Sequence, residues 1–104
     1  MVYGCVYKIE NLVNGKIYIG QTVRSSRIRE TEHFYRLSRK IHNNPHLQNA
    51  FNKYGESNFI FAVLNYDDSK EVLDKLEDDY IEYYESLNPE KGYNLRTGGK
   101  TGKL

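Results

Sequence analysis

From Tyr3 to Thr22, YGCVYKIENLVNGKIYIGQT, two short runs rich in β-branched and aromatic side chains lie on either side of Asn14-Gly15. Asn-Gly suits the positive backbone angles of a tight turn, so the stretch reads as a β-hairpin. With an even loop and no bulge, cross-strand residues whose numbers sum to an odd value share a face, which puts Tyr7 and Tyr18 on one surface. The period then changes. Arg24 to Ile41 holds no Gly or Pro, and Phe34, Leu37 and Ile41 recur at helical spacing, predicting a helix with those three inward. Asn44-Pro45 is a cap followed by a first-turn proline; it opens a short second helix whose buried side is Leu47, Ala50 and Phe51, and Gly55 stops it.

Phe59 to Tyr66, FIFAVLNY, is nearly continuous in apolar residues and too short for an ordinary helix. It reads as a buried third strand, central in a small sheet. Asp68-Ser69-Lys70-Glu71 is a capping arrangement for a third helix that runs to about Leu87, with Leu73, Leu76, Tyr80, Tyr84 and Leu87 as its inward stripe. Glu77 falls between Leu73 and Tyr80 on that same side, where a carboxylate is costly unless it finds a cation or donors. A structural bridge to a basic side chain and a metal ion are the two ways of meeting that cost. The other acids, Asp74, Asp78, Asp79, Glu82 and Glu85, can mostly face water. Gly92-Tyr93-Asn94, after Pro89, reads as a short edge strand or turn.

The pattern predicts an α/β domain over residues 1–97, with a small three-stranded, mainly antiparallel sheet flanked by three helices in the order β-β-α-α-β-α. Residues 98–104 read as a flexible basic tail or a truncated linker. They are no phosphate loop, because a Walker pattern ending at Gly99-Lys100-Thr101 requires Gly where Asn94 stands.

Composition narrows the class. A chain of 104 residues makes one domain with a modest core. At 38% hydrophobic and 28% charged it has no run suited to a membrane span. One cysteine forms no internal disulfide, which points to a reducing compartment, cytoplasmic or nuclear. That cysteine and three scattered histidines also lack the ligand spacing of a zinc site.

The net charge of +1 hides an asymmetry. Residues 1–55 carry nine Lys/Arg against three Asp/Glu, a balance of +6, whereas residues 56–104 carry six against eleven, or −5. The first half is a plausible phosphate-binding surface. Within it Arg29, His33, Arg36 and Lys40 form a basic row on the flank of the first helix. An ordinary solvated face is the alternative reading of that row.

Cys5-Val6-Tyr7, ten residues, and then Tyr18-Ile19-Gly20 resemble the paired triplets that name the GIY-YIG nuclease family, with Cys5 and Val6 where the name has Gly and Ile. Arg29-x-x-x-His33 resembles the arginine and histidine one turn apart on that family's first helix, and His42 matches a histidine of its homing-endonuclease branch. Ala50 to Gly55 is similar again, with Asn52 and Lys53 as phosphate contacts. Glu77-x-x-x-Ile81 resembles the position of the single metal-binding glutamate, and Gly92-Tyr93-Asn94 the closing motif whose asparagine sits at the edge of the active site.

The resemblance implies a metal-dependent DNA endonuclease that leaves 5′-phosphate and 3′-hydroxyl ends, either free-standing or as the catalytic domain of a homing endonuclease. Its partner would be double-stranded or branched DNA. Magnesium, or manganese, would sit on Glu77, Arg29 would hold the scissile phosphate, and Tyr7 would deprotonate the attacking water, with Tyr18 as the alternative base. Arg36, Lys40, His42, Asn52 and Lys53 would contact DNA. A tyrosine of ordinary pKa, about 10, is ionised to roughly one part in a thousand at neutral pH. Tyr7 therefore needs help, from His33 accepting its proton or from Arg29 and other positive charge lowering its pKa. Cys5, in a glycine's place, predicts a slight change of hairpin twist. Two other readings stand beside the nuclease: a non-catalytic nucleic-acid binding module using the basic row, and a protein-interaction domain using the acidic helix.

Overall fold

The hairpin is present in the computed structural model, which describes residues 3–95. β1 (Gly4–Asn11) and β2 (Ile17–Thr22) pair antiparallel with Tyr7 opposite Gly20 and Ile9 opposite Tyr18, so both tyrosines do share a face. The turn between them is broader than Asn14-Gly15 alone. Residues 12 to 15 form the loop, Asn11 O accepts from Gly15 N at 2.8 Å, and Gly15 takes a positive φ of 77° while Asn14 does not. Side chains bind the rest: Asn11 Oδ1 accepts from Val13 N and Asn14 Oδ1 from Lys16 N. The loop is even, which is what preserves the register.

β3 (Phe59–Asp67) pairs antiparallel with β1, giving the sheet order β2-β1-β3. The first strand is therefore central, and β3, expected there from its apolar run, is an edge strand with most of its side chains half-buried. Its apolar length serves the partial cover of both faces. A bulge at Leu64 shifts the β1–β3 register between Val6 and Tyr7. Such an extra residue bends the ladder and re-aims the side chains beside it.

Helices cover both faces. α1 (Ser26–Ser38) and α2 (Pro45–Tyr54) pack through Leu37, Leu47, Ala50 and Phe51 onto Cys5, Tyr7 and Ile9. α3 (Lys70–Tyr84) packs through Leu73 and Ile81 onto Val6, Ile17 and Ile19. Each fully buried leucine of this kind contributes about 1.5–3 kcal/mol of transfer free energy. Ser69 caps α3 through Val72 N, and Asn44 caps α2 through Leu47 N, as the sequence indicates. Cys5 is buried in the core on ordinary strand backbone, so its position asks nothing of a glycine.

Two helices end earlier than their apolar spacing suggests. α1 stops at Ser38: Lys40 adopts the left-handed conformation at φ 62°, and Ile41 N returns to Arg36 O at 2.9 Å, a Schellman closure. Ile41 is consequently 62% exposed, and Lys40 leaves the helical row. The usual glycine is absent there, which is why the sequence did not mark the stop. α3 likewise ends at Tyr84 because Glu85 turns left-handed at φ 54°, leaving Leu87 exposed. Residues 92 to 94 return along the outer edge of β2 through a parallel bridge from Gly92 to Ile17. No helix among the described residues is long and apolar enough to cross a membrane. The tail expected over 98–104 lies outside the described residues.

Candidate active site where Tyr7 crosses the hairpin

Gly20 decides where the Tyr7 phenol goes. A Cβ at position 20 would stand 2.5 Å from the Tyr7 hydroxyl oxygen and 2.7 Å from its ring carbon Cζ, so the ring lies directly across the glycine. Only the missing side chain permits that approach. Tyr7 thus starts on the central strand and carries its hydroxyl over to β2, an edge strand. Phe61 of β3 stacks on its ring, with centroids 4.6 Å apart.

The hydroxyl meets two donors or acceptors from α1. His33 Nε2 lies 2.6 Å away, and Arg29 Nε donates to it at 3.2 Å. Arg29 is steadied from behind by Glu32, which accepts from its Nη1 at 3.0 Å; Arg24 and Arg29 hold the Glu32 carboxyl down at about 2. Tyr18 joins the same group edge-on to His33, ring centroids 5.7 Å apart.

His33 is itself part of a chain. Its Nδ1 lies 2.8 Å from His42 Nε2, and the two rings stack with centroids 5.0 Å apart. His42 Nδ1 accepts from the backbone N–H of Asn44 at 3.0 Å. The early, left-handed end of α1 is what folds His42 back onto His33. Gln48 fixes the returning chain by accepting from His42 N at 2.9 Å.

These contacts determine the tautomers. Burial, followed by the charge of Arg29, pushes His33 down to about 3 and His42 to about 4, so both imidazoles are neutral near pH 7. A backbone N–H can only donate. His42 Nδ1 is therefore the acceptor, and the His42 proton sits on Nε2, where it donates to His33 Nδ1. The His33 proton must then sit on Nε2 and point at Tyr7. The Tyr7 oxygen accepts from both His33 and Arg29, and its own proton is directed elsewhere. The first of the two ways of helping Tyr7, transfer of its proton to His33, is blocked in this arrangement because His33 Nε2 is already protonated. Burial raises the Tyr7 phenol above its ordinary value, Tyr18 adds to the rise, and Arg29 opposes it.

Glu77 approaches from the other face of the sheet. It is 7% exposed, and the Gln21 amide donates to its Oε1 at 2.5 Å and to Asp74 Oδ1 at 2.8 Å. Lys70 Nζ closes the group, donating to Gln21 Oε1 at 3.0 Å and to Asp74 at 2.6 Å. Glu77 is near enough for its charge to raise Tyr7. The two carboxylates thus meet a neutral amide bridge at β2, one residue past Gly20. No group of three or more His, Cys, Asp or Glu side chains suited to a metal occurs among the described residues. Glu77 is a hard carboxylate of the kind that suits magnesium, which keeps most of its water and takes few protein ligands.

Asn94 binds the strand rather than pointing into the group. Its Oδ1 accepts from Ile19 N at 2.8 Å and its Nδ2 donates to Ile19 O at 2.9 Å, supplying both bonds that a neighbouring strand would make. Asn44 ties this segment to α2 by donating to Tyr93 O at 2.9 Å.

The other candidates lie at the rim. Arg36 is exposed, but its charge reaches both histidines. Asn52 is exposed and accepts from Gln48 Nε2, Lys53 lies over the Tyr54 ring, and Lys40 is exposed beyond the end of α1. Gln21, Glu32 and the Asn44 amide escaped the reading of the sequence. Gln21 alone left a signal there: it is a polar residue on the inward face that Ile17 and Ile19 share.

A model of the GIY-YIG catalytic domain matches residues 3–94. "Putative endonuclease segB" of Enterobacteria phage T4 is 37% identical over 99 residues, covering 92% of this chain, and the chain spans only 39% of that relative's length. Among solved structures, a variant of the catalytic domain of intron endonuclease I-TevI superposes with a TM-score of 0.82 at 27% identity, over 91% of this chain and 95% of that one. The catalytic domain of homing endonuclease I-TevI gives a TM-score of 0.80 at 28% identity, over 88% and 97%. The match of the family model across nearly the whole described chain, with the two tyrosines, the helix-borne arginine and histidine and the α3 glutamate gathered at one sheet edge, places this chain in the GIY-YIG endonuclease family.

Proposed function

We propose that the chain hydrolyses DNA phosphodiesters with a divalent cation held by Glu77, leaving 5′-phosphate and 3′-hydroxyl ends. It would act either alone or as the catalytic domain of a homing endonuclease. The observation that carries the reading is the buried Tyr7 oxygen, which takes hydrogen bonds from His33 Nε2 and Arg29 Nε where it crosses β2, near enough to Glu77 to feel its charge.

A cation on Glu77, magnesium or manganese, would supply charge stabilisation for the phosphate and the leaving oxygen, with substrate oxygens and water filling its remaining positions. Arg29 holds the scissile phosphate with its outer nitrogens while its Nε stays on Tyr7. Tyr7 takes the proton of the attacking water as a phenolate. Its own proton leaves in the direction opposite His33, and the negative oxygen that remains keeps both donors. His33 acts as a fixed donor to Tyr7, and Glu32 keeps Arg29 in place. Tyr18, edge-on to His33, orients water or phosphate. Asn94 acts through Ile19 by holding β2 straight at the point where Tyr7 crosses it.

Arg36, Lys40, His42, Asn52 and Lys53 are the proposed contacts or near neighbours of DNA, His42 chiefly through His33. So small a surface leaves little for reading base sequence, and backbone contacts dominate. The test is supercoiled plasmid with and without magnesium. Magnesium-dependent nicks that a ligase can seal support the reading. Salt-sensitive binding without cleavage identifies a non-catalytic binding module instead.

A further inference from the structure

A cleft of about 350 Å³ opens between the hairpin loop, α2 and the segment that returns along β2. Lys16 and Asn14 line it from the hairpin, His46, Asn49 and Lys53 from one face of α2, and Tyr93 from the returning chain. Among the described residues that line it there is no Asp or Glu. His46, Asn49 and Lys53 recur at three- and four-residue spacing, so they stand in one row above the floor made by Ala50 and Tyr93. Lys53 Nζ lies 5.2 Å from the centre of the Tyr54 ring, which gives its stem a support. Two ammonium groups, an imidazole and two amides facing one hollow form a donor set suited to a tetrahedral anion.

Its position makes the donor set informative. Lys16 continues β2 on the face of Tyr18 and Gly20, since Asn11 N still donates to Lys16 O at 2.9 Å. Four residues of strand separate Lys16 from Gly20, roughly 13 Å at about 3.3 Å per residue. Backbone phosphates of a bound duplex come within such a distance of one another over a few nucleotides. Tyr93, which lines the cleft, is followed directly by Asn94, which holds Ile19, the residue before Gly20.

We propose that this cleft is a second phosphodiester subsite, in which Lys16, His46, Asn49 and Lys53 take a backbone phosphate of the substrate a few nucleotides from the scissile bond. The assignment rests on the nuclease reading for the identity of the strand. It adds a second anchor, so that a duplex is held along the β2 edge at two points rather than pivoting on Arg29 alone. The contact reads charge and spacing and carries no base identity.

The experiment compares wild type with Lys16→Ala/Lys53→Ala, in which Lys53 is exposed and Lys16 half-buried, and neither belongs to the hydrophobic core. Binding to a short duplex is followed by fluorescence anisotropy across a range of salt, with divalent cation withheld. The double variant should bind more weakly, and its plot of log affinity against log salt should be shallower by about one unit, since each phosphate contact contributes about 0.9. Lys75→Ala, on the far side of α3, should leave the slope unchanged. A single neutral methylphosphonate, stepped through the few nucleotides on either side of a mapped cut, should at one position weaken wild type and leave the double variant unaffected. An unchanged slope, or methylphosphonates that penalise both proteins alike, overturns the subsite. A shallower slope in a protein that never cleaves would remove the nuclease reading and keep the subsite.

Discussion

The Tyr7 phenol crosses Gly20 so closely that a β-carbon at position 20 would lie 2.5 Å from the Tyr7 hydroxyl oxygen. The glycine is therefore a passage for the side chain of the neighbouring strand, not a turn residue. Gly20→Ala should force Tyr7 out of line with His33 and Arg29. The expected loss is about 100-fold in kcat, as for a displacement near 1 Å, with about 1–3 kcal/mol of stability lost to overpacking. In a Tyr7→Ala background the same change should cost little stability, because the clash is gone. Equal penalties in both backgrounds, read from denaturant midpoints, would contradict the contact.

The pH dependence separates a tyrosine base from an imidazole base. Burial holds Tyr7 above its ordinary value, so over the working range the phenolate is the minor form and its fraction rises tenfold per unit of pH. His33, pushed down to about 3, and His42, at about 4, stay neutral over the same range. The logarithm of kcat/KM should climb with a slope near one from about pH 6 to 9 and show no inflection near 6.5. A plateau from about pH 5 upward would assign the base to His33 instead.

The tautomer chain makes a prediction independent of cleavage. Nitrogen-correlated NMR of labelled protein should find both His33 and His42 protonated on Nε2. His42→Gln keeps a donor for His33 Nδ1 and should retain activity within about tenfold. His42→Glu offers only acceptors, which draws the His33 proton to Nδ1, turns Nε2 away from donating to Tyr7, and should cost about 100-fold in kcat. A His33 proton on Nδ1 in the wild type would refute the whole assignment.

Asn94→Ala removes both bonds from its side chain to the Ile19 backbone. The expected cost is about 1–3 kcal/mol, because a buried donor and acceptor on an edge strand lose their partner. Amide exchange at Ile19 should accelerate while exchange at Ile9, on the central strand, changes less. Unaltered exchange at Ile19 would mean that the strand is held by other means.

Periodicity made the hairpin, the Asn44 cap, the Ser69 cap and the shared face of Tyr7 and Tyr18 legible, because each depends on residues close in sequence. Sheet order was not. FIFAVLNY is apolar enough for a central strand, and only the tertiary pairing of Gly4–Asn11 with both neighbours demotes it to an edge. The end of α1 was hidden for a different reason: Lys40 occupies a left-handed position that usually advertises itself with glycine. Among the site residues, the inward face of α3 betrayed Glu77, whereas the Asn44 amide acts through its backbone and so has no side-chain signature at all.

Glu77, whose charge reaches the Tyr7 phenol, is the proposed cation-holding carboxylate. Glu77→Gln is the sharpest probe, since its amide oxygen can still accept from Gln21 and the core of α3 is unchanged. The decisive measurement is single-turnover cleavage of a mapped duplex in magnesium by this variant, alongside its denaturant midpoint and its cation-free DNA binding. Cleavage should fall by at least about 1,000-fold while fold and binding persist. Magnesium-dependent cleavage at a rate near that of the wild type would contradict the account.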